Sequence, residues 1–326
     1  HNLWFRREET TGILHVTTRQ DFQLHYVHIE NTPSIFRRLA AVGITTLEAC
    51  GNSVRNVTAC PVAGVCSTES FDVTPYARAA FQYLLGHPDV QDFGRKFKIA
   101  FSGCRQNACG LTSMHDLGFI ARTRMENGRL RRGFEMYVGG GLGPEPYKAK
   151  LFSEFVPEEE FLALTQAICR IFARYGEKKK RGRARIKFLV ADWGIDKFRE
   201  NVVEERGKLP QDPRWTEYLS RLNESDETPL KGSGKSGGHP EKNGYEYWRS
   251  TNVAPQKQSG YCVVTVALPL GDITANQMRG LIDISKKFVK DTVRTTVEQN
   301  MILRWVAESD VPAVHEALKS IDLAAP

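Results

Sequence analysis

The chain contains 326 residues, of which 41% are hydrophobic and 25% are charged, and its net charge at pH 7 is +7. This composition is ordinary for a soluble globular protein of two or three domains. No apolar run approaches the roughly eighteen residues of a membrane helix, so no membrane partner is expected, and no signal peptide is visible. Seven cysteines are too sparse for a disulfide scaffold, so we expect a cytoplasmic protein.

The N-terminal region predicts a small β/α unit. Ile13–Thr17 and Phe22–Val27 alternate in polarity and are rich in β-branched and aromatic residues, which indicates two short strands. Apolar residues then recur at helical spacing, so a helix is expected to begin at Pro33 and to end at Gly43.

The same unit returns near the C-terminus, which indicates an internal repeat. A shift of 279 positions aligns Thr17–Ile44 with Thr296–Leu323 without a gap. Six pairs are identical, where average residue usage gives about two by chance. The identical pairs are Thr17/Thr296, Gln20/Gln299, Leu24/Leu303, Val27/Val306, Pro33/Pro312 and Leu39/Leu318.

The second copy is the more complete one. Ahead of its aligned part it has a predicted strand, Tyr261–Leu268, and a predicted helix over about 274–289. The first copy lacks the strand and most of the helix, and the chain begins with His1 rather than Met. We therefore expect that both ends are cut and that the chain is the first part of a larger tandem protein.

Between the copies, residues 46–206 predict the main domain, because strands and helices alternate as in an α/β layer. The predicted helices are Pro75–Leu85, Pro157–Tyr175 and Gly194–Arg206, and the predicted strands are Phe97–Ser102, Gly118–Arg124 and Phe134–Val138. Residues 207–258, with their low-complexity centre at 231–238, are rich in Pro, Gly, Ser, Lys and Glu and predict a linker. Residues 1–45 and 259–326 are then the two half-repeats.

Two cysteine pairs suggest a metal or haem site. Cys60 and Cys66 have the spacing C-x5-C, and after 37 intervening residues Cys104 and Cys109 have the spacing C-x4-C. This is neither the zinc-ribbon pattern nor the tight run of a bacterial ferredoxin. The alternative is that they are small buried hydrophobic residues, which is how we interpret the remaining cysteines, Cys50, Cys169 and Cys262.

Four cations are candidates for holding an anion near these cysteines, namely Arg19, Arg55, Lys96 and Lys98. Lys96 and Lys98 flank Phe97 at the start of a strand, so both side chains point to one face. Two ammonium groups on one face repel each other unless an anion lies between them, and arginine offers a planar fork to a carboxylate or oxyanion. The alternative is that all four are surface charges at strand ends.

A glycine run at 139–143 follows a predicted strand. Gly139, Gly140 and Gly141 could therefore let the backbone approach an anionic ligand closely. The run is not the dinucleotide fingerprint, and no acidic residue follows at the position that fingerprint requires, which disfavours a nicotinamide or flavin site.

Two other polar features receive structural interpretations. His115 and Asp116 could form an acid/base pair, but we interpret them as structural. The basic run at 177–187 could bind nucleic acid, yet no aromatic residues interleave with it. We interpret the run as a solvated helix end or loop and expect no nucleic-acid partner.

Several segments together resemble the sirohaem-dependent nitrite/sulfite reductase family. The resemblance covers about residues 12–206 and 259–326, and it is carried by the segments 17–25, 51–61, 95–98 and 138–143. It implies an α+β fold in which ferredoxin-like half-repeats flank an α/β sirohaem-type domain. It also implies six-electron reduction of sulfite to sulfide or of nitrite to ammonia, on a sirohaem whose iron shares a cysteine sulfur with a [4Fe-4S] cluster.

The resemblance implies roles for individual residues. The residues assigned to cofactor binding are Arg19, Arg55, Asn56, Lys96, Lys98, Gly139, Gly140 and Gly141, and the arginines and lysines among them are also assigned to catalysis. Lys98 favours sulfite, because plant-type nitrite reductases tend to have asparagine there. The implied electron donor is ferredoxin, whose acidic surface suits the positive charge of this chain, or a flavoprotein.

The cysteines depart from the family pattern. The cluster ligands of the family usually lie in the second half, as C-x5-C followed by C-x3-C, and here the second pair has one residue more. Either Cys60, Cys66, Cys104 and Cys109 bind the cluster, or they are relics of the repeat that help to wall the sirohaem pocket, which we favour. A rival interpretation of the whole chain is a non-catalytic module that binds sirohaem or a partner.

Overall fold

The computed structural model describes residues 12–222, 227–234 and 244–326. The strands, in chain order, are β1 Ile13–Val16, β2 Phe22–Leu24, β3 Val54–Ala59, β4 Phe97–Ser102, β5 Leu117–Glu126, β6 Arg129–Val138, β7 Lys150–Pro157, β8 Val253–Pro255, β9 Tyr261–Val266, β10 Asp272–Thr274, β11 Val293–Thr295 and β12 Met301–Ala307. The helices are α1 Thr32–Ala40, α2 Thr74–Leu84, α3 Phe161–Tyr175, α4 Ile186–Trp193, α5 Ile195–Lys208, α6 Tyr245–Asn252, α7 Ala275–Phe288 and α8 Val311–Lys319. Strands and helices are mixed, in agreement with the expected α+β class.

The chain divides into two compact units. The first unit consists of His1–Thr45, Val65–Ser67 and Ser225–Pro326, and the second unit consists of Thr46–Gly64 and Thr68–Glu224. None of the helices in the described part of the chain is both long and apolar enough to span a membrane.

The second unit is built on a five-stranded sheet with the order β3-β4-β5-β6-β7. Strands β3, β4 and β5 are parallel, whereas β6 and β7 are antiparallel to their neighbours. Alternate residues of β4, Phe97, Ile99 and Phe101, are buried in a core with Tyr76 of α2 and Phe161 of α3. Burial of each such side chain contributes roughly 1.5–3 kcal/mol to stability. Because side chains alternate along a strand, the intervening residues of β4, which include Lys98, point to the opposite face of the sheet.

The strand directions bring four chain segments to one edge of this sheet. Strands β3, β4 and β5 begin there, and β6 ends there because it is antiparallel to β5. In the register, Asn56 lies opposite Lys98, and Leu117 lies opposite Val138. Residues that precede β4 and β5 therefore meet the glycine run that follows β6.

The first unit contains both copies of the repeat, and the structure confirms the alignment. The same shift of 279 places the 3-10 turn Ile29–Asn31 on Glu308–Asp310, and it places α1 on α8. At three pairs of equivalent positions, both copies also have left-handed backbone. These pairs are Gln20/Gln299, Tyr26/Trp305 and Gly43/Asp322.

The two copies take part in different sheets. Strands β1 and β2 belong to the sheet β10-β1-β2, and β11 and β12 belong to the sheet β11-β12-β9-β8. Helix α7 begins with a full capping box, in which Thr274 accepts from the amide of Gln277 and Gln277 accepts from the amide of Thr274.

Several elements differ from the sequence prediction. The helix predicted from Pro157 begins at Phe161, because Pro157 ends strand β7. The strands β3 and β7 and the helix α4 were not predicted. The segment 207–258 is divided between the two units and contains two buried tryptophans, Trp215 in the core of the second unit and Trp248 in that of the first. The linker prediction overlooked these anchors, and residues 235–238 of its low-complexity centre lie outside the described residues.

Candidate anion-binding site

Cationic side chains gather in the second unit where β3 and β4 begin. Arg55 is the second residue of β3, Lys96 immediately precedes β4, and Lys98 is the second residue of β4. Burial lowers the pKa of Lys96, and the nearby charges of Arg185, Arg55 and Arg95 lower it further. Like charges held together in this way are relieved by an anion, which is the chemistry that the sequence predicted for this edge.

A buried carboxylate lies among these cations. Asp116, which immediately precedes β5, is fully buried. Its Oδ1 accepts from Nε of Arg185 at 2.8 Å and lies 2.7 Å from Nη2 of that guanidinium, and its Oδ2 accepts from the backbone amide of Lys98 at 2.9 Å. Burial raises the pKa of Asp116 above its usual range, and the contacts with Arg185 and the Lys98 amide oppose that rise only in part. Because both oxygens face N–H donors, the surroundings match the ionised carboxylate.

The glycine run packs against the same residues. The amide of Gly140 donates to the carbonyl oxygen of His115 at 2.9 Å, and a Cβ on Gly140 would lie 2.6 Å from that oxygen. A Cβ on Gly141 would lie 2.9 Å from Nη2 of Arg185, and Gly139 has a left-handed φ of +80°. The glycines are thus required by packing within the chain, and contact of their backbone with an anion stays a prediction.

Two residues of the site come from the basic run that was interpreted as solvated, and for them that interpretation is wrong. Arg185 and Lys187 are both buried. The ammonium group of Lys187 donates to the carbonyl oxygen of Leu142 at 3.2 Å and also to that of Glu145. The signal in the sequence is the apolar stretch that starts at Ile186, because it makes the end of the run the first turn of a buried helix, α4.

The structural interpretation of His115 agrees with its contacts. Nδ1 of its ring lies 2.8 Å from the carbonyl oxygen of Leu111. Asp116 is likewise held by Arg185 and by the backbone amide of Lys98, so both residues of the pair are engaged with the surrounding chain.

Arg19 belongs to the first unit. It lies in the turn between β1 and β2, where its side chain is 8% exposed and its amide donates to Oγ1 of Thr17 at 3.2 Å. Its predicted role beside Arg55, Lys96 and Lys98 stays a prediction.

The predicted metal ligands also fall into both units. Cys60, Cys104 and Cys109 belong to the second unit, and Cys66 belongs to the first. Cys60 and Cys104 are buried, and Oγ1 of Thr68 lies 3.4 Å from Sγ of Cys104. Among the residues that the structure describes, no three His, Cys, Asp or Glu side chains are grouped to hold a metal ion. Cluster binding by these cysteines therefore stays a prediction.

The other cysteines were interpreted as buried hydrophobic residues. Cys169 and Cys262 are buried, which confirms that interpretation, and burial raises the pKa of the Cys262 thiol. Cys50 is exposed, so for this residue the interpretation was wrong. It lies in the segment that precedes β3, the first strand of the second unit.

Two family models match the chain. The one described as the nitrite and sulphite reductase 4Fe-4S domain matches residues 50–210. The one described as the nitrite/sulfite reductase ferredoxin-like half domain matches 8–42 and 254–321, which contain most of the two repeat copies.

Curated relatives and a solved structure are similar over nearly the whole chain. Sulfite reductase [ferredoxin] 2 of Mycolicibacterium paratuberculosis is 33% identical over 310 residues, which are 94% of this chain and 50% of that protein. The assimilatory ferredoxin-dependent nitrite reductase of Haloferax mediterranei is 32% identical over 93% of this chain and 48% of its own length. The structure of the NirA protein of Mycobacterium tuberculosis aligns with a TM-score of 0.78 at 28% identity, covering 98% of this chain and 53% of that one. The chain spans about half the length of the curated relatives that it matches.

Proposed function

Because the chain belongs to the nitrite and sulphite reductase family, we propose that it is part of an enzyme that reduces sulfite to sulfide or nitrite to ammonia on sirohaem. The observation that carries this proposal is the group of cations at the edge of the second unit's sheet. Arg55, Lys96, Arg95 and Arg185 act on one another there, and Asp116 only partly offsets their charge.

The donor set fits sirohaem. A tetrapyrrole with carboxylate side chains, together with an anionic substrate, needs several fixed cations, and this edge supplies them at the starts of β3, β4 and α4. When bound, sirohaem supplies the electrons that enter the substrate. Arg55 would bind carboxylate or substrate oxygens through its planar fork.

Lys96 is the proton donor that the electrostatics favours. Its pKa is lowered by burial and by three neighbouring cations, so Nζ releases a proton more readily than an ordinary lysine does. A lysine of this kind can protonate an oxygen that leaves as its bond to sulfur or nitrogen breaks. Lys98, whose backbone is held by Asp116, would orient the anion on the same face.

Among the residues described, no three His, Cys, Asp or Glu side chains are grouped to hold a metal ion. This supports the interpretation that Cys60, Cys66, Cys104 and Cys109 help to wall the sirohaem pocket and are not the ligands of the four-iron cluster. We propose that its ligands belong to the part of the relatives that this chain does not span.

The electron donor that we propose is ferredoxin, which the names of the sulfite and nitrite reductases among the relatives contain, with a flavoprotein as the alternative. A positively charged chain suits an acidic donor. We also propose sulfite as the preferred substrate, on the basis of Lys98, and the cytoplasm as the location.

The test is the absorption spectrum of the 326-residue chain produced in cells that supply sirohaem, with iron assayed on the same sample. We expect sirohaem bands that are lost in Arg55→Gln and Lys96→Gln and kept in Lys197→Gln, which removes an exposed lysine on α5. A wild-type chain without tetrapyrrole would contradict the proposal. The binding module would be supported instead if a longer protein that includes the cluster ligands bound sirohaem but showed no sulfite- or nitrite-dependent oxidation of reduced methyl viologen.

A further inference from the structure

We propose that Asp116 is the positioning residue of this site. Its carboxylate and its backbone tie together the start of β4, the loop after β6 and Arg185, and its charge offsets the repulsion among cations that would otherwise drive Lys96 and Lys98 apart. This inference rests on the proposed function, because it specifies how the proposed anion site is held in place.

Three separate chain segments meet on Asp116. Its Oδ2 accepts from the amide of Lys98 at 2.9 Å, and its Oδ1 lies 2.7–2.8 Å from two nitrogens of Arg185. Its carbonyl oxygen accepts from the amide of Gly139, also at 2.9 Å. The residue is fully buried, so water does not replace these contacts if the side chain is changed.

The contact with Lys98 acts on both lysines. It holds the backbone of β4 at the residue between Phe97 and Ile99, whose side chains are fixed in the core. Because Lys96 and Lys98 point to the same face, fixing this stretch of backbone fixes the separation of the two Cβ atoms.

The electrostatics act in the same direction. Lys96 faces Arg55 from β3, Arg95 beside it in the chain and Arg185 from the start of α4, and all three favour loss of its proton. The carboxylate of Asp116 acts oppositely and favours the protonated lysine. Without the Asp116 carboxylate, the charge of the buried Arg185 guanidinium would be uncompensated. That charge would then act on Lys96, whose ammonium form is needed to bind the anion.

The isosteric variant Asp116→Asn separates this role from a merely structural one. An amide has one acceptor oxygen where the carboxylate has two, so either the Lys98 amide or Arg185 loses its acceptor. The negative charge is lost as well. A structural role alone predicts a less stable chain in which Lys96 titrates as before, whereas the positioning role predicts that Lys96 loses its proton at lower pH.

The measurement is the titration of individual lysines by NMR after reductive methylation with ¹³C, with Lys96→Arg used to assign the resonance of Lys96. We expect the midpoint for Lys96 to fall in Asp116→Asn, because the variant lacks the negative charge that favours the protonated lysine. The control is Glu135→Gln, another buried carboxylate of the same sheet, whose cationic neighbours are Arg105 and Arg122. An unchanged midpoint in Asp116→Asn would overturn the proposal.

Arg185→Gln keeps the proposal testable if Asp116→Asn fails to fold. Removing Arg185 takes away a charge that opposes protonation and leaves Asp116 in place, so the midpoint for Lys96 should rise. A midpoint that falls or stays unchanged would contradict the proposed arrangement.

Binding of uroporphyrin, a fluorescent porphyrin with eight carboxylates, gives an independent readout without iron or turnover. We expect Asp116→Asn to bind uroporphyrin at least about tenfold more weakly than the wild type. As the pH is raised, the variant should lose binding at a lower pH than the wild type does, because its Lys96 is deprotonated earlier. Equal affinity and an equal pH profile in the variant and the wild type would count against the inference. A wild-type chain that binds no uroporphyrin, while Lys96 titrates as expected, would contradict the proposed function and support the inference.

Discussion

The two copies of the repeat share a backbone but differ in how much of it they bury. The first copy leaves Leu24 45% exposed, whereas its counterpart in the second copy, Leu303, is fully buried. Phe36 is exposed on α1, and the residue that replaces it on α8, His315, is buried. Both copies nevertheless have left-handed backbone at equivalent positions, and their helices begin and end at equivalent positions.

The cause of this difference is the set of elements that cover each copy. In the second copy, β12 lies between β11 and β9, and α7 contributes Leu281 and Phe288 to the core. In the first copy, β2 is the last strand of its sheet within the described part of the chain. Backbone conformation is therefore set by the local sequence of the repeat, and burial is set by segments outside it.

The largest expected effect tests this difference in burial. Leu303→Ala should lower the free energy of unfolding by about 2–5 kcal/mol, because it removes a buried side chain and leaves a cavity. Leu24→Ala, the matched change in the first copy, should lower it by less than about 1 kcal/mol, since that side chain already faces solvent. Urea unfolding monitored by tryptophan fluorescence measures both. Equal losses would mean that the first copy is covered as well as the second.

The sequence predicted the repeat well because its signals are local. Strand alternation, Pro33 near the helix start and Gly43 at the helix end lie within one short segment, and the structure reproduces them. The strand β7 was missed because Pro157 was interpreted as a helix start, although it is the final residue of that strand.

Part of the candidate site could also be predicted from local sequence signals. The positions of Arg55, Lys96 and Lys98 follow from motifs and strand period. The contact of Asp116 with Arg185 joins residues 69 positions apart, and no periodic pattern encodes a pairing of this kind. It depends on the order of strands in the sheet, which became visible only with the structure.

The next prediction concerns function, because the copies differ at one candidate site residue. Arg19 in the first copy is replaced by Glu298 in the second. If only the first copy contributes to anion binding, Arg19→Glu should weaken uroporphyrin binding at least about tenfold, which corresponds to about 1.4 kcal/mol. Glu298→Arg should leave binding unchanged, since that residue is exposed.

The variant Arg19→Gln is the control for placing a negative charge at this buried position, because it removes the positive charge without introducing a negative one. It should bind more weakly than the wild type and more tightly than Arg19→Glu. If Glu298→Arg proved as harmful as Arg19→Glu, the functional difference between the copies would have to be abandoned.

A smaller effect tests a contact that the copies make with each other. Nε2 of Gln20 donates to the carbonyl oxygen of Thr295 at 2.9 Å, and Nε2 of Gln299 donates to that of Val16 at 3.0 Å. The shift of 279 relates Val16 to Thr295, so the two hydrogen bonds are symmetric. Asparagine tolerates the left-handed backbone but is too short to reach, so each change to Asn should cost about 0.5–1.5 kcal/mol.

The double variant Gln20→Asn/Gln299→Asn then measures whether the two contacts depend on each other. Costs that add would show two independent hydrogen bonds. A double variant less destabilised than the sum would show that one contact holds the copies together only when the other is present.

The smallest expected effect lies at the end of the repeat helix, where the copies have different residues in the same conformation. Gly43 has φ +75° with open space around its Cβ position, and Asp322 has φ +56°. In both copies the next amide donates back to the helix, from Ile44 to the oxygen of Leu39 and from Leu323 to that of Leu318. Gly43→Asp should therefore cost less than about 1 kcal/mol. Asp322→Gly should change stability by less than about 0.5 kcal/mol, because relief of the backbone is offset by a more flexible unfolded chain.

Gly43→Val is the informative companion, since a β-branched residue is strongly disfavoured at positive φ. If it were no more costly than Gly43→Asp in urea unfolding, the turn would not be held left-handed, and the shared backbone of the copies would end before this residue.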